Sequence, residues 1–462
     1  MGIGAMTSRQ WAELEFADAS LGDARRTKRL VRIGAALVER AQGTLPGSLG
    51  GWAESKAAYR LLSNPEVAYE EILAPHLKRV REACRQPGEY LLVEDTTSLD
   101  FTSHVAAQDL GRIGDDRGRG LWLHSTLALA VQRWNADQEP EVVLEGLFDQ
   151  RYWARTMPTL GSGKGKRRKG RERPRESDRW ARAAVESGAP PSGVDWTYVA
   201  DRESDIYEAF ARCRDNGWHY VVRANQPRAL AETDGSVFTA VAEAPPAGRM
   251  VVDLRSRPGQ AARRAELVLR TCAVTLRGPH RPGRRVAPFT VTAVEARETA
   301  PPQGARPVHW VLLTDRPCST PEAVLRTVKT YTRRWLIEEY HKALKTGTGI
   351  ERSQLATAAR ITALLGILSV VAVQLLNAKL LATTRPDDPV APEQMDETVR
   401  AVLEATCGRP AEGWTNKTFH VAIARMGGYL NRKGDGPPGW ITIWRGFQKL
   451  MLLAQGYNLN CG

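Results

Sequence analysis

The stretch Tyr331-Thr-Arg-Arg334-Trp335-Leu-Ile-Glu338-Glu-Tyr-His-Lys-Ala-Leu-Lys345 reads as helix, with its tyrosine, arginine, glutamate and lysine at i, i+3, i+7 and i+14. At roughly 3.6 residues per turn these four side chains fall within an arc of roughly 60°. Leu336, Tyr340 and Leu344 line the opposite side. Trp335 lies beside the polar arc, so this face offers a carboxylate among cations and aromatic rings, a set suited to holding a metal ion, binding phosphates and stacking on a base. Periodicity alone fits an ordinary amphipathic helix with a solvated charged face as well.

Two further carboxylates stand at the ends of apolar strands. Tyr90-Leu-Leu-Val-Glu94-Asp95 is one and Trp196-Thr-Tyr-Val-Ala-Asp201 is the other. Each aspartate taken singly fits a turn former or the cap of a following helix. Taken with the helical Glu338, the three acids are what a site for two divalent cations needs, because Mg²⁺ prefers oxygen ligands and a shared carboxylate can bridge a metal pair.

The segments Glu94-Asp95-Thr-Thr-Ser-Leu, Asp201-Arg-Glu-Ser-Asp-Ile and Tyr331 to Lys345 resemble, in that order, the three acidic motifs of bacterial cut-and-paste DDE transposases of the insertion-sequence-four family. The likeness runs nearly end to end. Leu21-Gly-Asp-Ala-Arg25-Arg26-Thr-Lys-Arg29-Leu resembles the family's N-terminal DNA-binding segment, and Ala422-Ile-Ala-Arg-Met-Gly-Gly with Leu453-Ala-Gln-Gly resembles its C-terminal domain.

The resemblance implies an α/β, RNase-H-like catalytic domain of the retroviral-integrase type with an all-β insertion, flanked by helical domains. The corresponding boundaries are 1–72 for DNA binding, 73–380 for catalysis with the β-rich insertion at about 226–307, and 381–462 for dimerisation. It also implies that Asp95, Asp201 and Glu338 hold two Mg²⁺ ions, with Mn²⁺ able to substitute. Arg334 and Lys345 would fix phosphates of the terminal nucleotides, Tyr331 would touch a phosphate, and Trp335 and Trp310 would manage a base turned out of the stack. Arg223, Arg25, Arg26 and Arg29 match DNA-contacting positions. The partners implied are transposon ends and target DNA, with a homodimer in the synaptic complex and a hairpin intermediate on the transposon end. For Trp310, a place in the core of a buried strand is an equal alternative, because its neighbours are apolar.

Composition agrees with this reading without demanding it. A chain of 462 residues suggests two or three domains, and 65 Lys and Arg against 52 Asp and Glu give a net charge of +13, which favours a polyanionic partner or serves solubility. The six cysteines form no Cys-x-x-Cys pair and the eight histidines no ligand cluster, so zinc is not expected and a reducing, cytoplasmic, nucleoid-associated setting is. The longest apolar run, Ile361 to Leu376, is interrupted by polar residues and is too short to span a bilayer.

Along the chain, five cations at Arg25, Arg26, Lys28, Arg29 and Arg32 crowd two turns without an acid among them, which suits phosphate contact. Strands at 90–95, 121–132 and 141–151 precede a helix at 179–187, a strand at 195–201, a helix to Cys213 and a strand at 219–224, an alternation that by itself indicates a mixed α/β domain. Strand-type runs at 265–276 and 288–296 belong to the insertion before 308–314 returns to the core. From Gly161 to Ser177 eight cations meet two acids, Glu172 and Glu176, a run suited to binding DNA by counterion release. The alternatives to a transposase are another RNase-H-fold nuclease or integrase, which would share the acids without the Tyr331/Arg334/Lys345 set, and a domesticated, non-cutting DNA-binding derivative.

Overall fold

The computed structural model describes residues 7–39, 45–114, 117–155, 176–254, 262–280, 286–390, 395, 397–432 and 435–460. The basic run from Gly161 lies outside the described residues as far as 175. Helices α1 (Ser8–Phe16), α2 (Ala24–Glu39), α3 (Leu45–Ser48), α4 (Trp52–Leu62) and α5 (Tyr69–Ala83) open the chain. Thr7 caps α1 through a reciprocal box with Gln10. The buried pair Glu15 and His76, 2.6 Å apart, ties α1 to α5, and the amide of Leu147 donates to the other ring nitrogen of His76 at 3.0 Å. Gly146, at φ 137°, makes room for that ring, since a Cβ there would come within 2.8 Å of it.

Strands β1 (Gly88–Asp100), β2 (Gly111–Ile113), β3 (Gly118–Trp134) and β4 (Pro140–Trp153) follow. Next come α6 (Arg182–Ser187), β5 (Val194–Ala200), α7 (Tyr207–Asp215) and β6 (His219–Arg223). β1 and β3 are antiparallel, β4 joins the outer edge of β3, and β1, β5 and β6 run parallel. The order β4-β3-β1-β5-β6 with this mixture of directions is the RNase-H-like arrangement.

The segment expected as an all-β insertion extends this same sheet and holds one short helix. It comprises α8 (Val237–Glu243), β7 (Pro246–Leu254), β8 (Arg263–Leu276) and β9 (Phe289–Glu298). β10 (His309–Thr314) pairs antiparallel with both β9 and β6, so ten strands form one sheet.

The helices α9 (Pro321–Thr332), α10 (Trp335–Lys342) and α11 (Ala358–Thr384) pack on one sheet face with α1–α4. α6, α7 and α8 pack on the other. Buried from both sides, β1 has an uninterrupted apolar run from Tyr90 to Val93 instead of an alternating one. α11 corrects one expectation: the helix runs past the apolar stretch at both ends, and its 27 residues are long and apolar enough to cross a membrane. Most of its apolar window, 78%, is buried inside the protein, which makes it a core helix here. α12 (Glu397–Cys407), α13 (Asn416–Met426) and α14 (Trp440–Asn460) form a separate small core at the C-terminus.

Candidate active site

Side chains alternate between the two faces of a strand, and this alternation decides which acids meet. On β1, Leu91 and Val93 enter the core beneath α9–α11, while Tyr90 and Leu92 enter the other. Asp95 therefore belongs to the α10 side. On β5, Val199 shares the first core and Tyr198 and Ala200 the second, which puts Asp201, one residue past the strand, on the α10 side as well. The parallel register pairs Glu94 with Ala200, so Asp95 and Asp201 leave adjacent strands at the same level.

Glu338 comes from α10 above them, and Arg334 joins the set. Its guanidinium lies 3.4 Å from Asp95 and also pairs with Glu338. Burial, the Asp201 carboxylate and, more weakly, Glu338 push the Asp95 carboxyl up to about 7, against the pull of Arg334. Burial opposes the charge of Arg334, but Tyr331, Glu338 and Asp95 more than offset it and hold its pKa above the ordinary arginine value. Asp201 also accepts a hydrogen bond from the amide of Glu203 at 2.8 Å, so the capping role open in the sequence is present too.

The expected helix from 331 to 345 is not regular. α9 ends at Thr332, and amides 333, 334, 336 and 337 bond three residues back, tightening the turn that carries Arg334. After Lys342 the helix widens into a π-turn over Ala343–Gly347, which resets the direction of Lys345. Lys345 stands 3.8 Å from Glu351, whose carboxylate also takes the amide of Asp100 at 2.9 Å. Tyr331 is buried at 5% exposure and packs edge-on against Trp310, with ring centroids 5.6 Å apart. Burial raises the pKa of its hydroxyl, against Arg334 and a hydrogen bond with Arg223. Trp310 is half-buried against the main core. Trp335 lies under the Lys342 ammonium, 5.1 Å from its ring centroid.

Sequence reasoning passed over the residue beside Asp95. Glu94 points to the opposite face and is buried among Tyr198, Thr126, the amide of Ala181 and His124. Burial works against its charge, but these partners outweigh it and hold the carboxyl below the usual range. The strand's period of two was the available signal. Glu203 was passed over as well: burial and Asp201 raise its pKa, and the short Asp201-Arg-Glu segment already placed it there.

Arg25, Arg26 and Arg29 lie on α2 in the N-terminal helices. The crowding argument changes here, because the balancing anions are the protein's own. Asp23 pairs with Arg25, Glu66 with Arg26 and Glu54 with Arg29. Lys28 and Arg32 are exposed on the same helix.

A family model described as transposase DNA-binding matches residues 8–67, the span of α1 to α4. A second, described as transposase DDE domain, matches residues 194–374, from β5 through most of α11. The chain thus carries one stretch that matches a transposase DNA-binding domain and one that matches a transposase DDE domain. Asp201 and Glu338 fall inside the DDE match, with Arg223, Trp310, Tyr331, Arg334, Trp335 and Lys345, and Arg25, Arg26 and Arg29 fall inside the DNA-binding match. Asp95 lies before the DDE match, and its place in the site rests on the pairing of β1 with β5.

DDE domains use divalent metals, and the donor chemistry fits, since the three acids supply only hard oxygen ligands and Asp95 carries an unmet demand for positive charge. Among the described residues the acids do not converge to ligand distance, and Arg334 sits between Asp95 and Glu338.

Proposed function

We propose that the protein is a transposase of the insertion-sequence-four family, akin to that of transposon five, which cuts transposon ends and joins them to target DNA through a hairpin intermediate. What supports this reading most is the coupling of Asp95 to Asp201 and Glu338 across β1, β5 and α10, inside a chain carrying transposase DNA-binding and DDE domains. Asp95, Asp201 and Glu338 would hold two Mg²⁺ ions, or Mn²⁺ in their place, which when bound supply charge stabilisation at the attacking and leaving oxygens. Arg334, released from Asp95 or Glu338, would bind a phosphate of the terminal nucleotides. Lys345, oriented by Glu351, would bind another. Arg223 and Tyr331 form a donor pair beside Trp310, and with Trp335 they would receive a base leaving the stack.

In the N-terminal domain Lys28 and Arg32 extend the contribution expected of Arg25, Arg26 and Arg29. The proposed dimer would use the last helix, where Leu452 and Tyr457 are 61% and 46% exposed. A cytoplasmic, nucleoid-associated setting follows from the DNA partner.

The test is cleavage and gel shift on one duplex carrying the inverted repeats that flank the protein's own coding sequence, with and without Mg²⁺. Asp95→Asn, Asp201→Asn and Glu338→Gln should each abolish nicking and leave end binding nearly intact, because binding rests on contacts made elsewhere. Near-normal nicking by any one of them removes that residue from the site.

A further inference from the structure

A row of side chains crosses three strands at the level of the acids. Asp95 of β1 stands opposite Ser125 of β3, and Ser125 stands opposite Gln150 of β4. Partners in register share a face of the sheet, so all three belong to the α10 side. There the Gln150 amide is enclosed by hydroxyls. Its nitrogen donates to Ser125 at 2.9 Å and to Tyr340 of α10 at 2.7 Å, and its oxygen accepts from Tyr69 of α5 at 2.9 Å. Tyr340 in turn donates to the Ser369 carbonyl of α11 at 3.4 Å. Ser125, Gln150, Tyr69 and Tyr340 are each at most 3% exposed, so water does not compete for these bonds.

A buried amide is costly unless its donors and acceptor are met, and here both N–H groups and the oxygen are met. An apolar side chain of similar size would fill the space and tolerate small slips of its neighbours, whereas a connected set of bonds fixes one arrangement. What it fixes is α10. That helix has eight residues, and the tight turn before it and the π-turn after it break its continuity with α9 and with the chain beyond. Its rotation about its own axis is therefore set by what its side chains meet. Tyr340 is two residues from Glu338, about 200° around the helix, so holding the hydroxyl constrains where the carboxylate points. A rotation of about 10° moves a group about 6 Å from the axis by ~1 Å. A displacement of that size costs up to ~100-fold in rate.

We propose that Gln150 is a positioning residue for Glu338. Through Tyr340 on one side and Ser125 on the other, it ties the rotation of α10 to the row of the sheet that carries Asp95. This rests on the transposase reading and adds to it a residue outside both family matches, on the strand at the outer edge of β3.

The experiment follows the nicking rate of bound ends, the Kd for the end and Tm in the full-length protein. Tyr340→Phe keeps the ring and deletes the hydroxyl, and Gln150→Leu deletes the amide. Each should slow nicking of bound ends by about tenfold or more and leave Kd within about twofold of the parent. The double variant should be no slower than Gln150→Leu alone, because both changes break one link. Tyr90→Phe controls for lost stability: it deletes a hydroxyl that bonds the Ala83 carbonyl at 2.9 Å on the other face of β1, and should lower Tm comparably while nicking at the parental rate. Adding Mg²⁺ should raise the Tm of Tyr90→Phe as much as that of the parent, and the Tm of Tyr340→Phe and Gln150→Leu less. If Gln150→Leu does not fold, the comparison of Tyr340→Phe with Tyr90→Phe decides. Nicking that merely follows Tm across all the variants, or losses that multiply in the double variant, overturn the inference and leave the transposase reading intact. A parent that neither binds nor nicks its end overturns both.

Discussion

Trp440, the first residue of α14, donates its indole N–H to Glu339 at 3.0 Å, and Glu339 adjoins Glu338 on α10. Lys379 of α11 and Lys342 hold the same carboxylate, and Lys379 also lies 4.6 Å from the centroid of the Trp440 ring. Burial disfavours the charge of Glu339, but the two lysines more than compensate and hold its pKa below the usual range. The C-terminal helices thereby grip the helix that carries a candidate catalytic acid.

Trp440→Phe keeps most of the ring and deletes the donor. Losing a hydrogen bond to a buried charge should cost about 1.5–3 kcal/mol and lower Tm. Nicking should fall while end binding stays at the parental level, because α14 is remote in sequence from the DNA-binding match at 8–67. Parental Tm and nicking together would show that the contact transmits nothing to α10.

The Asp95 carboxyl, pushed up to about 7 by burial and then by Asp201, keeps its proton in the folded protein where the unfolded chain releases it near about 3.9. The folded state binds more protons between these values, so stability declines as pH rises from about 4 to about 7 and levels off above. Asp95→Asn removes the charge. It should raise Tm at about pH 8, by a gain on the order of 1–3 kcal/mol, and leave Tm unchanged at about pH 3, as thermal melts at the two pH values would show. Mg²⁺ at about pH 8 should raise the Tm of the parent and much less that of Asp95→Asn, since ligand binding stabilises only a competent site.

On α2, Lys28→Ala and Arg32→Ala together should flatten the salt dependence of end binding by ~1.8, with Tm unchanged. Arg26→Ala and Arg29→Ala should alter that slope less, because Glu66 and Glu54 already neutralise those cations. Each should cost no more than ~1 kcal/mol of stability. A larger slope change for the second pair would mean that DNA displaces the two glutamates.

Trp310→Ala tests base extrusion. A strand bending back into a hairpin sheds a base from its stack, and an aromatic partner returns ~1–3 kcal/mol of that cost. The variant should nick normally and form hairpins slowly, and an abasic nucleotide near the end should recover much of the loss. Equal damage to both steps with a lowered Tm and no recovery would make Trp310 a core residue packed on Tyr331.

The sequence alone marked most strands of the sheet and the helix bearing Glu338 and put forward three acids as candidates, while β2, α8 and β7 went unread, because apolar runs of period two and of about 3.6 are local signals. It placed Asp95 and Glu94 side by side and could not say which would face the site. That choice came from the sheet, where β1 is covered on both faces and its alternation sends Glu94 to a buried cluster and Asp95 to α10. Pairing of β1 with β5 brought Asp201 alongside across more than a hundred residues of chain. The regular Tyr331-to-Lys345 face did not survive packing, because the tight turn at Arg334 and the π-turn at Ala343–Gly347 shift side chains that ideal periodicity had aligned. The cations of α2 read as one cluster along the chain, and only the fold brought Glu54 and Glu66 to two of them. Spacing along one helix is set by local backbone geometry, whereas partners from distant segments meet only when burial of the core fixes where each segment lies.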